Sequence, residues 1–481
     1  MITNKIDYKV YSNKPFAIWA NSRIINERLS ANSYNRDYLD FAKAKNTFNF
    51  KKVSDIAKVT AMIGWKGLTT DDYVDEDGVY LLRTVDIKDN YIDLENAVMA
   101  KREKVYEQPQ IILKQGDIIF SKDGTLGITA IVPRHQNKEM CVGSTLARIR
   151  LNSNLDNYYV CAAFMSKIVQ AQIGYFTSGI AQPHITQEYI NKLEIPIPSP
   201  EIQKYIGDKV RKAEELREEA KRLKKEAEEI LKVELGFNIL QEKLSVYKEK
   251  FSWIKTKELD DRMDGEFYKT DFILNNEHID ILKNNGVQVL RLKDIIDKGS
   301  YGILPSSDDY GKGEVVLLRS TNLKEFLIDD SDVIKVPECY YKEKVQVNEG
   351  DILLEIKGQC YSGAIATELK NKTIVNGSIY KFSVKKGFNN YYILAYLLSK
   401  SGQLQKQQNL ANSIISYLSI DCINNLKVPV VSMEKQQIIG GKYKAYVEQM
   451  NKSKQLIQEA KQDVEDLIEG NFDMSKIKAH S

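Results

Sequence analysis

The chain has 481 residues, of which 43% are hydrophobic and 28% charged, with 10 Pro and 26 Gly. This composition excludes a disordered or fibrous protein, and the length predicts about two to four folded domains. The 69 Lys and Arg residues against 66 Asp and Glu leave a net charge of +3, which is too small to indicate a polyanionic partner by itself.

The five cysteines stand at wide, irregular intervals, and none forms a CxxC pair. They indicate neither a zinc site nor a disulfide framework, and they favour a reducing, cytoplasmic compartment. The first residues lack the apolar core of a signal peptide, and no apolar run approaches the roughly 18–20 residues that cross a bilayer. We therefore expect a cytoplasmic protein without a membrane anchor.

The second half of the sequence repeats the first at a spacing of about 234 residues. GDIIFSKDG (116–124) returns as GDILLEIKG (350–358), and NKEMCVGS (137–144) returns as NKTIVNGS (371–378). A repeat of this length is a domain-sized unit, so it predicts two similar globular lobes related by approximate twofold symmetry.

The repeat divides the chain into segments. In chain order we predict an amino-terminal arm (1–47), a first lobe (48–200), a spacer helix (201–240), a linker with the arm of the second repeat (241–288), a second lobe (289–433), a second spacer helix (434–470) and a tail (471–481). Each lobe alternates short β-branched runs with turns containing Gly and Asp, and a helical stretch follows. This pattern favours an α+β fold with two mostly-β lobes.

Both spacer segments carry alternating charges and apolar residues at three- and four-residue steps. This heptad pattern predicts an antiparallel coiled coil of two long helices, about 35 residues each and therefore roughly 50 Å long. For the charge-rich KAEELREEAKRLKKEAEEILK (212–232) of the first segment, a solvated surface helix remains the alternative. The seam positions chosen for helix pairing and partner docking are Leu216, Leu223, Ile230, Met450, Ile457 and Val464.

The sequence lacks the motifs of enzymes that modify or move along DNA. No two prolines are adjacent, as an amino-methyltransferase motif would require, and no GxxxxGK[ST] loop is present. Glu355 and Lys357 resemble the acidic and lysine positions of a metal-dependent nuclease strand, but their counterparts in the first repeat are Ser121 and Asp123. We predict a non-catalytic chain that binds no metal and no cofactor.

Four features occur in a fixed order: the GDI strand, a glycine-bracketed loop (123–127), SGIAQPHIT (178–186), and LEIPIPSPEIQKYI (193–206) running into the spacer helix. This order resembles the specificity subunit of type I restriction-modification systems over nearly the whole chain. The second repeat departs from it, with IISYLS (414–419) in place of AQPHIT.

The resemblance implies two target recognition domains, each of which reads one half of a bipartite site in double-stranded DNA. It implies that the paired helices dock two methyltransferase subunits, and that restriction subunits driven by ATP join the complex. S-adenosylmethionine, ATP and magnesium would then be held by the partner subunits.

Polar and cationic side chains on the predicted loops are candidates for DNA contact, because groove reading needs donors and acceptors that reach base edges. The candidates in the first lobe are Trp65, Lys66, Arg83, Thr84, Ser121, Lys122, Asp123, Thr125, Ser144 and Thr145. Those in the second lobe are Ser300, Tyr301, Arg319, Ser320, Lys357, Gln359, Tyr361, Asn376 and Ser378. For Trp65 a packing role, and for Arg83 and Arg319 structural ion pairs, remain as alternatives to DNA contact. Positions that differ between the lobes are the better candidates for sequence reading.

Two other functions remain open at this point. One is a scaffold whose two lobes hold two copies of a partner other than DNA, and the other is a nuclease that uses Glu355 and Lys357. A DNA-binding protein should lose affinity steeply with salt, whereas a scaffold would retain no DNA even at low salt.

Overall fold

A computed structural model describes residues 35–62, 67–88, 90–133, 138–178, 182–246, 264–410 and 416–480. The chain divides into two compact units. The first unit ends at Leu216 and takes in the chain again from Lys452, and the second unit spans Arg217–Asn451.

The first unit contains the first lobe. Its helices are α1 (Arg36–Ala44), α2 (Val53–Ile56), α3 (Arg102–Tyr106), α4 (Asn157–Met165), α5 (Lys167–Phe176), α6 (Gln187–Lys192) and the first half of α7 (Pro200–Glu234). Its strands are β1 (Phe50–Lys52), β2 (Ala57–Ala61), β3 (Tyr73–Val74), β4 (Val79–Leu82), β5 (Ile87–Lys88), β6 (Tyr91–Ile92), β7 (Val98–Ala100), β8 (Ile118–Ser121), β9 (Thr129–Ile131), β10 (Met140–Val142), β11 (Leu146–Leu151) and β12 (Glu194–Pro196).

The second unit contains the second lobe. Its helices are α8 (Phe237–Val246), α9 (Thr270–Asn284), α10 (Leu292–Ile295), α11 (Asn390–Leu398), α12 (Lys400–Gln408), α13 (Ile420–Asn425) and the first half of α14 (Met433–Glu469), after which α15 (Ser475–His480) follows in the first unit. Its strands are β13 (Gln288–Arg291), β14 (Ile296–Tyr301), β15 (Val315–Leu318), β16 (Leu323–Lys324), β17 (Leu327–Ile328), β18 (Ile334–Val336), β19 (Ile352–Glu355), β20 (Gly363–Ile365), β21 (Thr373–Val375), β22 (Ile379–Val384) and β23 (Lys427–Val430).

Two sheets form the body of the first lobe. One is antiparallel in the order β2-β11-β8-β9, and the other has the order β10-β4-β7-β3 with β10 parallel to β4. Successive side chains of a strand point to opposite faces. Ile118 and Phe120 of β8 accordingly join the apolar core that includes α4 and α5, while Ile119 joins the core of the second sheet. The central strand is therefore buried on both faces.

The second lobe repeats this arrangement. Its sheets have the orders β14-β22-β19-β20 and β18-β15-β21, and β21 is parallel to β15. Ile352 and Leu354 of β19 face the core with α11, whereas Leu353 faces the other core. The duplication and the α+β class predicted from the sequence are confirmed.

The long helices pair within each unit. In the first unit, Ile206 and Val210 of α7 share an apolar core with Ile457 and Val464 of α14. In the second unit, Ala220, Ala227 and Leu231 of α7 share a core with Tyr443, Val447 and Met450 of α14. The beginning of α7 thus packs with the end of α14, and the end of α7 with the beginning of α14. The predicted antiparallel pairing is confirmed.

The buried stripe of α7 differs from the one chosen by hydropathy. Leu216, Leu223 and Ile230 are only half-buried, while Met450, Ile457 and Val464 of α14 are buried. The fully buried positions on α7 include Ala213, Ala220 and Ala227, which stand seven residues apart. Alanine gives a weak hydrophobic signal, but it lets two helix backbones approach closely, so the large side chains of α14 fill the seam.

Candidate nucleic-acid interface

The loop between β8 and β9 presents polar side chains at the edge of the first lobe. Ser121, at the end of β8, is fully buried. Its hydroxyl donates to the Thr125 carbonyl at 2.6 Å and accepts from the Ile128 N–H at 2.8 Å. Thr125 is exposed, and Lys122 Nζ lies 2.6 Å from the Asp123 carboxylate. The buried Ser121 hydroxyl therefore holds the backbone of this loop through two hydrogen bonds, whereas the Thr125 side chain is exposed.

The equivalent loop of the second lobe is closed in the same way by a different side chain. Glu355, at the end of β19, accepts from the Ser362 N–H at 3.1 Å. The two residues are seven apart in the chain, as Ser121 and Ile128 are in the first lobe. Lys357, Gln359 and Tyr361 are exposed on this loop. The backbone of this loop is held by an equivalent hydrogen bond in both lobes, but the side chains that the loop exposes differ.

A second loop lies beside the first one in each lobe. In the first lobe, Gly124 N–H donates to the Pro183 carbonyl at 3.1 Å and Ile185 N–H to the Lys122 carbonyl at 2.9 Å. His184, which is exposed, forms an isolated antiparallel bridge with Asp123. The part of SGIAQPHIT from Pro183 to Ile185 thus adjoins the loop that follows the GDI strand.

The second lobe pairs its two loops at equivalent positions. Gly358 N–H donates to the Ser416 carbonyl at 2.9 Å, and Leu418 N–H donates to the Ile356 carbonyl at 2.9 Å. Tyr417 pairs with Lys357 in an isolated antiparallel backbone bridge and is 44% exposed. His184 and Tyr417 were not chosen from the sequence, although the motifs containing them had been noted there.

One glutamine in each lobe fastens the β8–β9 loop or its counterpart to the helix beneath. Gln170 of α5 donates to the Gly127 carbonyl at 3.0 Å, and Gln403 of α12 donates to the Tyr361 carbonyl at 2.9 Å. These helices therefore help to fix the loop backbone in both lobes.

The two candidate arginines are engaged within their own lobes. Arg83 Nε donates to the Asp86 carboxylate at 3.0 Å, and its Nη2 donates to the Asn96 carbonyl at 3.1 Å. The hydrogen bond with Asp86 raises the pKa of Arg83. Arg319 Nη2 donates to the Asp332 carbonyl at 2.7 Å and to its carboxylate at 2.9 Å. The geometry favours the structural ion-pair interpretation for both.

Hydroxyl groups connect the candidates that follow β4 and β10 in the first lobe and β15 and β21 in the second lobe. Thr84 and Thr145 hydroxyls are 3.1 Å apart, and Ser144 beside them is exposed. In the second lobe, Ser320 N–H donates to the Ser378 hydroxyl at 3.4 Å, and that hydroxyl donates to the Asn376 side chain. The predicted sites after β4 and β10, and after β15 and β21, are therefore brought together.

Two further candidates, Ser300 and Tyr301, lie away from these loops. Ser300 is buried and donates to the Lys344 carbonyl at 2.6 Å. Tyr301 packs edge-on against Tyr380, and burial raises the pKa of Tyr301. Trp65 and Lys66 lie outside the described residues.

Glu355, the acidic residue of the nuclease alternative, accepts from the Ser362 N–H, and Asp351, just before the same strand, also has structural partners. Asp351 is buried, accepts from the Asn348 N–H at 3.0 Å and lies 3.5 Å from Lys381 Nζ. Within the described ranges, no group of three or more His, Cys, Asp or Glu side chains could hold a metal ion. Among the helices of these ranges, none combines the length and the apolar character that crossing a membrane requires.

Two similar lobes, each with a pair of adjoining polar loops, define a duplicated recognition protein. The model of the family described as "Type I restriction modification DNA specificity domain" matches residues 45–229 and again 284–462. The chain belongs to this family and carries two copies of its domain. It is the DNA-recognition subunit of a type I restriction-modification system, a class of subunit that is not catalytic.

Solved structures of similar proteins cover nearly the whole chain. The S subunit of a type I restriction-modification system from M. genitalium has 12% identity and a TM-score of 0.44, and the match covers 89% of this chain and 97% of that one. The HsdS subunit from Thermoanaerobacter tengcongensis has 13% identity and a TM-score of 0.29, with 88% and 97% covered. No curated protein sequence matches the chain.

Proposed function

We propose that each lobe reads one half of a bipartite site in double-stranded DNA through its two adjoining loops. The observation that carries this proposal is the pairing of loops at equivalent positions with different exposed side chains. Asp123 and Thr125 of the first lobe correspond to Lys357 and Gln359 of the second. Because the loop frame is shared and the presented chemistry differs, the two lobes suit two different half-sites.

The exposed side chains divide by the chemistry they offer to DNA. Gln359 can make paired hydrogen bonds to an adenine edge, and Asp123 can accept from cytosine. Lys357 and Lys122 suit phosphate contacts, which position a protein without reading sequence. Further members of this proposed surface are Thr125, Ser144, His184, Tyr361 and Tyr417. Trp65 and Lys66, which lie outside the described residues, stay candidates for DNA contact.

The buried candidates have a supporting role in this proposal. Ser121 closes its loop from within, Ser300 bonds to a backbone carbonyl, and Arg83 and Arg319 brace the segments after β4 and β15. Thr84, Thr145, Ser320, Asn376 and Ser378 hold the neighbouring strand ends together. Their substitution should alter DNA reading through the loops that they hold.

We propose further that the paired helices, within 201–240 and 434–470, dock two methyltransferase subunits, and that restriction subunits join them. The methyltransferases would bind S-adenosylmethionine and flip the target adenine out of the duplex, and the restriction subunits would use ATP and magnesium. This chain would recognise the DNA sequence and provide the docking surface. Cys141, Cys339, Cys360 and Cys422 are free thiols, in keeping with a cytoplasmic location.

Mapping modified adenines across the genome of the source cell, with and without this chain, tests the proposal. We expect methylation at a two-part sequence that disappears when the chain is absent. The purified complex should also retain DNA carrying that sequence, and the retention should fall steeply as salt is raised. Unchanged methylation together with no DNA retention at low salt would favour the scaffold alternative.

A further inference from the structure

One face of α12 supports the exposed loop of the second lobe. Gln403, Lys406 and Gln407 stand at positions i, i+3 and i+4, which share one side of a helix. Gln403 donates to the Tyr361 carbonyl at 2.9 Å, and the Gln407 amide donates to the Tyr361 hydroxyl at 2.5 Å. The middle member of this face, Lys406, therefore lies under the loop that carries Lys357 and Gln359.

Lys406 is a buried lysine without a hydrogen-bond partner in the part of the chain that the structure describes. Its side chain is 0% exposed, and its Nζ meets no acceptor there. One helical turn away, the Gln403 Oε1 atom is likewise buried and unpaired within the described residues. Burying an ammonium group without a partner is costly, so burial shifts the equilibrium of Lys406 toward the neutral amine.

The first lobe shows that the fold does not require a cation at this position. Gln170 of α5 holds the Gly127 carbonyl as Gln403 holds that of Tyr361. Three residues beyond Gln170, at the position of Lys406, stands Ile173, which is 3% exposed. An apolar side chain thus supports the same loop in one lobe and a lysine supports it in the other.

Two ionisable groups act on Lys406, and others stand on the helices packed against α12. Glu355 at the end of β19 and the Cys360 thiol in the loop act on it electrostatically. Burial lowers the pKa of Lys406 to about 8, while burial raises the pKa of Cys360 to about 12. On the neighbouring helices, the Tyr396 hydroxyl of α11 accepts from Gln405, and His278 of α9 bonds to the Leu235 carbonyl. Lys406 is therefore the group of this set whose charge changes just above neutral pH.

The loop itself has a strained backbone beside Lys406. Cys360 has φ +56°, in the left-handed region that a residue with a side chain rarely adopts. Its thiol donates to the Gly358 carbonyl at 3.7 Å. Strain of this kind persists where the surrounding contacts determine the backbone, so a change of charge beneath the loop can shift its position.

We propose that Lys406 is a positioning residue for the reading loop of the second lobe, and that recognition of the second half-site alone depends on the protonation state of Lys406. The inference rests on the proposed function of that loop. The neutral amine is compatible with a buried Nζ atom that has no hydrogen-bond acceptor within the described residues. The ammonium group instead draws Glu355 or water toward itself, which displaces residues 357–361. Reading of the second half-site is therefore sharper when Lys406 is neutral.

The test uses the full chain, purified with the subunits that it binds in its own cell, and a pool of randomised double-stranded DNA. Bound sequences are selected at about pH 7 and about pH 9. A pKa near 8 changes the neutral fraction roughly tenfold over this interval, so discrimination at the second half-site should rise by up to about tenfold. Discrimination at the first half-site should stay constant. A Gln359→Ala chain identifies which half-site belongs to the second lobe.

Two variants complete the experiment. Lys406→Ile introduces the residue found in the first lobe, and it should give the sharper discrimination at both pH values. Lys400→Met removes an exposed lysine from the start of the same helix, and it should behave as the original chain does. If Lys406→Ile keeps the pH dependence, or if both half-sites change together with pH, the inference is wrong. If no sequence is enriched at any pH, the proposed DNA-reading function fails as well.

A measurement on the unsubstituted chain covers the case in which Lys406→Ile does not fold. The amides of Gly358 and Leu418 join the two loops of the second lobe through backbone hydrogen bonds. After correction for intrinsic exchange, their protection from hydrogen exchange should rise between about pH 7 and about pH 9, whereas the Gly124 and Ile185 amides should show no such rise. An equal rise in both lobes would contradict a role for Lys406.

Discussion

Gln403 donates a hydrogen bond from its side-chain amide to the backbone carbonyl of Tyr361 at 2.9 Å. In the first lobe, Gln170 and Gly127 repeat this contact at 3.0 Å. A helix glutamine thus holds the loop backbone in both lobes, although the side chains exposed on the two loops differ. The position of each loop depends on the helix beneath it, and its chemistry depends on its own residues.

Removing one of these glutamines should loosen one loop. We expect Gln170→Leu to relax base preference at the first half-site and Gln403→Leu to relax it at the second. Gln403→Leu should also cost about 1 kcal/mol of folding free energy, the usual value of one lost hydrogen bond. Gln170→Leu should cost more, because Gln170 also donates to the Phe164 carbonyl at 2.8 Å. Methylation mapping in cells that carry each variant measures the effect. Equal relaxation of both half-sites by either variant would contradict separate control of the loops.

Two neighbouring residues of the second loop should affect DNA binding differently. Gln359→Ala should cost about 1–3 kcal/mol at one base pair, because a side chain that reads a base edge is lost. Lys357→Ala should weaken binding to all sequences and lower the salt slope by about one unit. Titrations at several salt concentrations separate the two effects. Lys386→Ala is the control, since this exposed lysine lies beyond the opposite end of β22. If Gln359→Ala weakened binding to all sequences equally, Gln359 would not read a base.

Lys406 should make folding stability depend on pH. Its pKa falls from 10.5 to about 8 on folding, so the unfolded chain holds more protons between these values and stability rises with pH there. Below about pH 8 the full cost of the buried charge applies. Lys406→Met should therefore stabilise the protein at neutral pH by on the order of 3 kcal/mol.

Urea unfolding of the original chain and of Lys406→Met at several pH values measures this difference. The Cys360 thiol, whose pKa rises from 9.0 to about 12, lowers stability at high pH and also interacts with Lys406, so the two proteins are compared below about pH 9, where the thiol stays protonated. Lys400→Met should leave the unfolding midpoint unchanged. A constant difference between about pH 7 and about pH 9 would show that Lys406 keeps its ordinary pKa.

The helix seam should be more sensitive at its alanines than at its leucines. Ala220 is fully buried, so Ala220→Leu should overpack the seam and cost about 1–3 kcal/mol. Leu223 is half-buried, and Leu223→Ala should cost about 1 kcal/mol or less. Thermal unfolding of the two variants compares them. A larger loss with Leu223→Ala would place the seam where the hydropathy pattern had indicated it.

The repeat in the sequence predicted much of the fold, because equivalent local signals recur at a constant spacing. The GDI strands, the glycine turns after them and the long helices all follow from patterns within short segments. Gly124 and Gly358 both adopt positive φ, at +75° and +97°, which explains why glycine stands at this turn in each copy. The packing of α7 was less predictable, because Ala213, Ala220 and Ala227 carry little hydrophobic signal.

The candidate surface could be predicted only in part, because long-range contacts decide which polar side chains face outward. Arg83 and Ser121 look suited to DNA contact in the sequence, but Asp86 and Thr125 engage them within the lobe. His184 and Tyr417 reach the surface through pairing between loops that are distant in the chain. The burial of Lys406 likewise depends on tertiary packing and leaves no local pattern.

The most direct test of the central claim exchanges the loop chemistry of one lobe. In a chain with Asp123→Lys and Thr125→Gln, the first loop presents the residues of the second, and methylated adenines are then mapped in the cell. We predict that bases in the first part of the recognised sequence change, while the second part and the spacing between the parts remain the same. A changed second part, or a recognised sequence that is unaltered, would contradict independent reading by the two lobes.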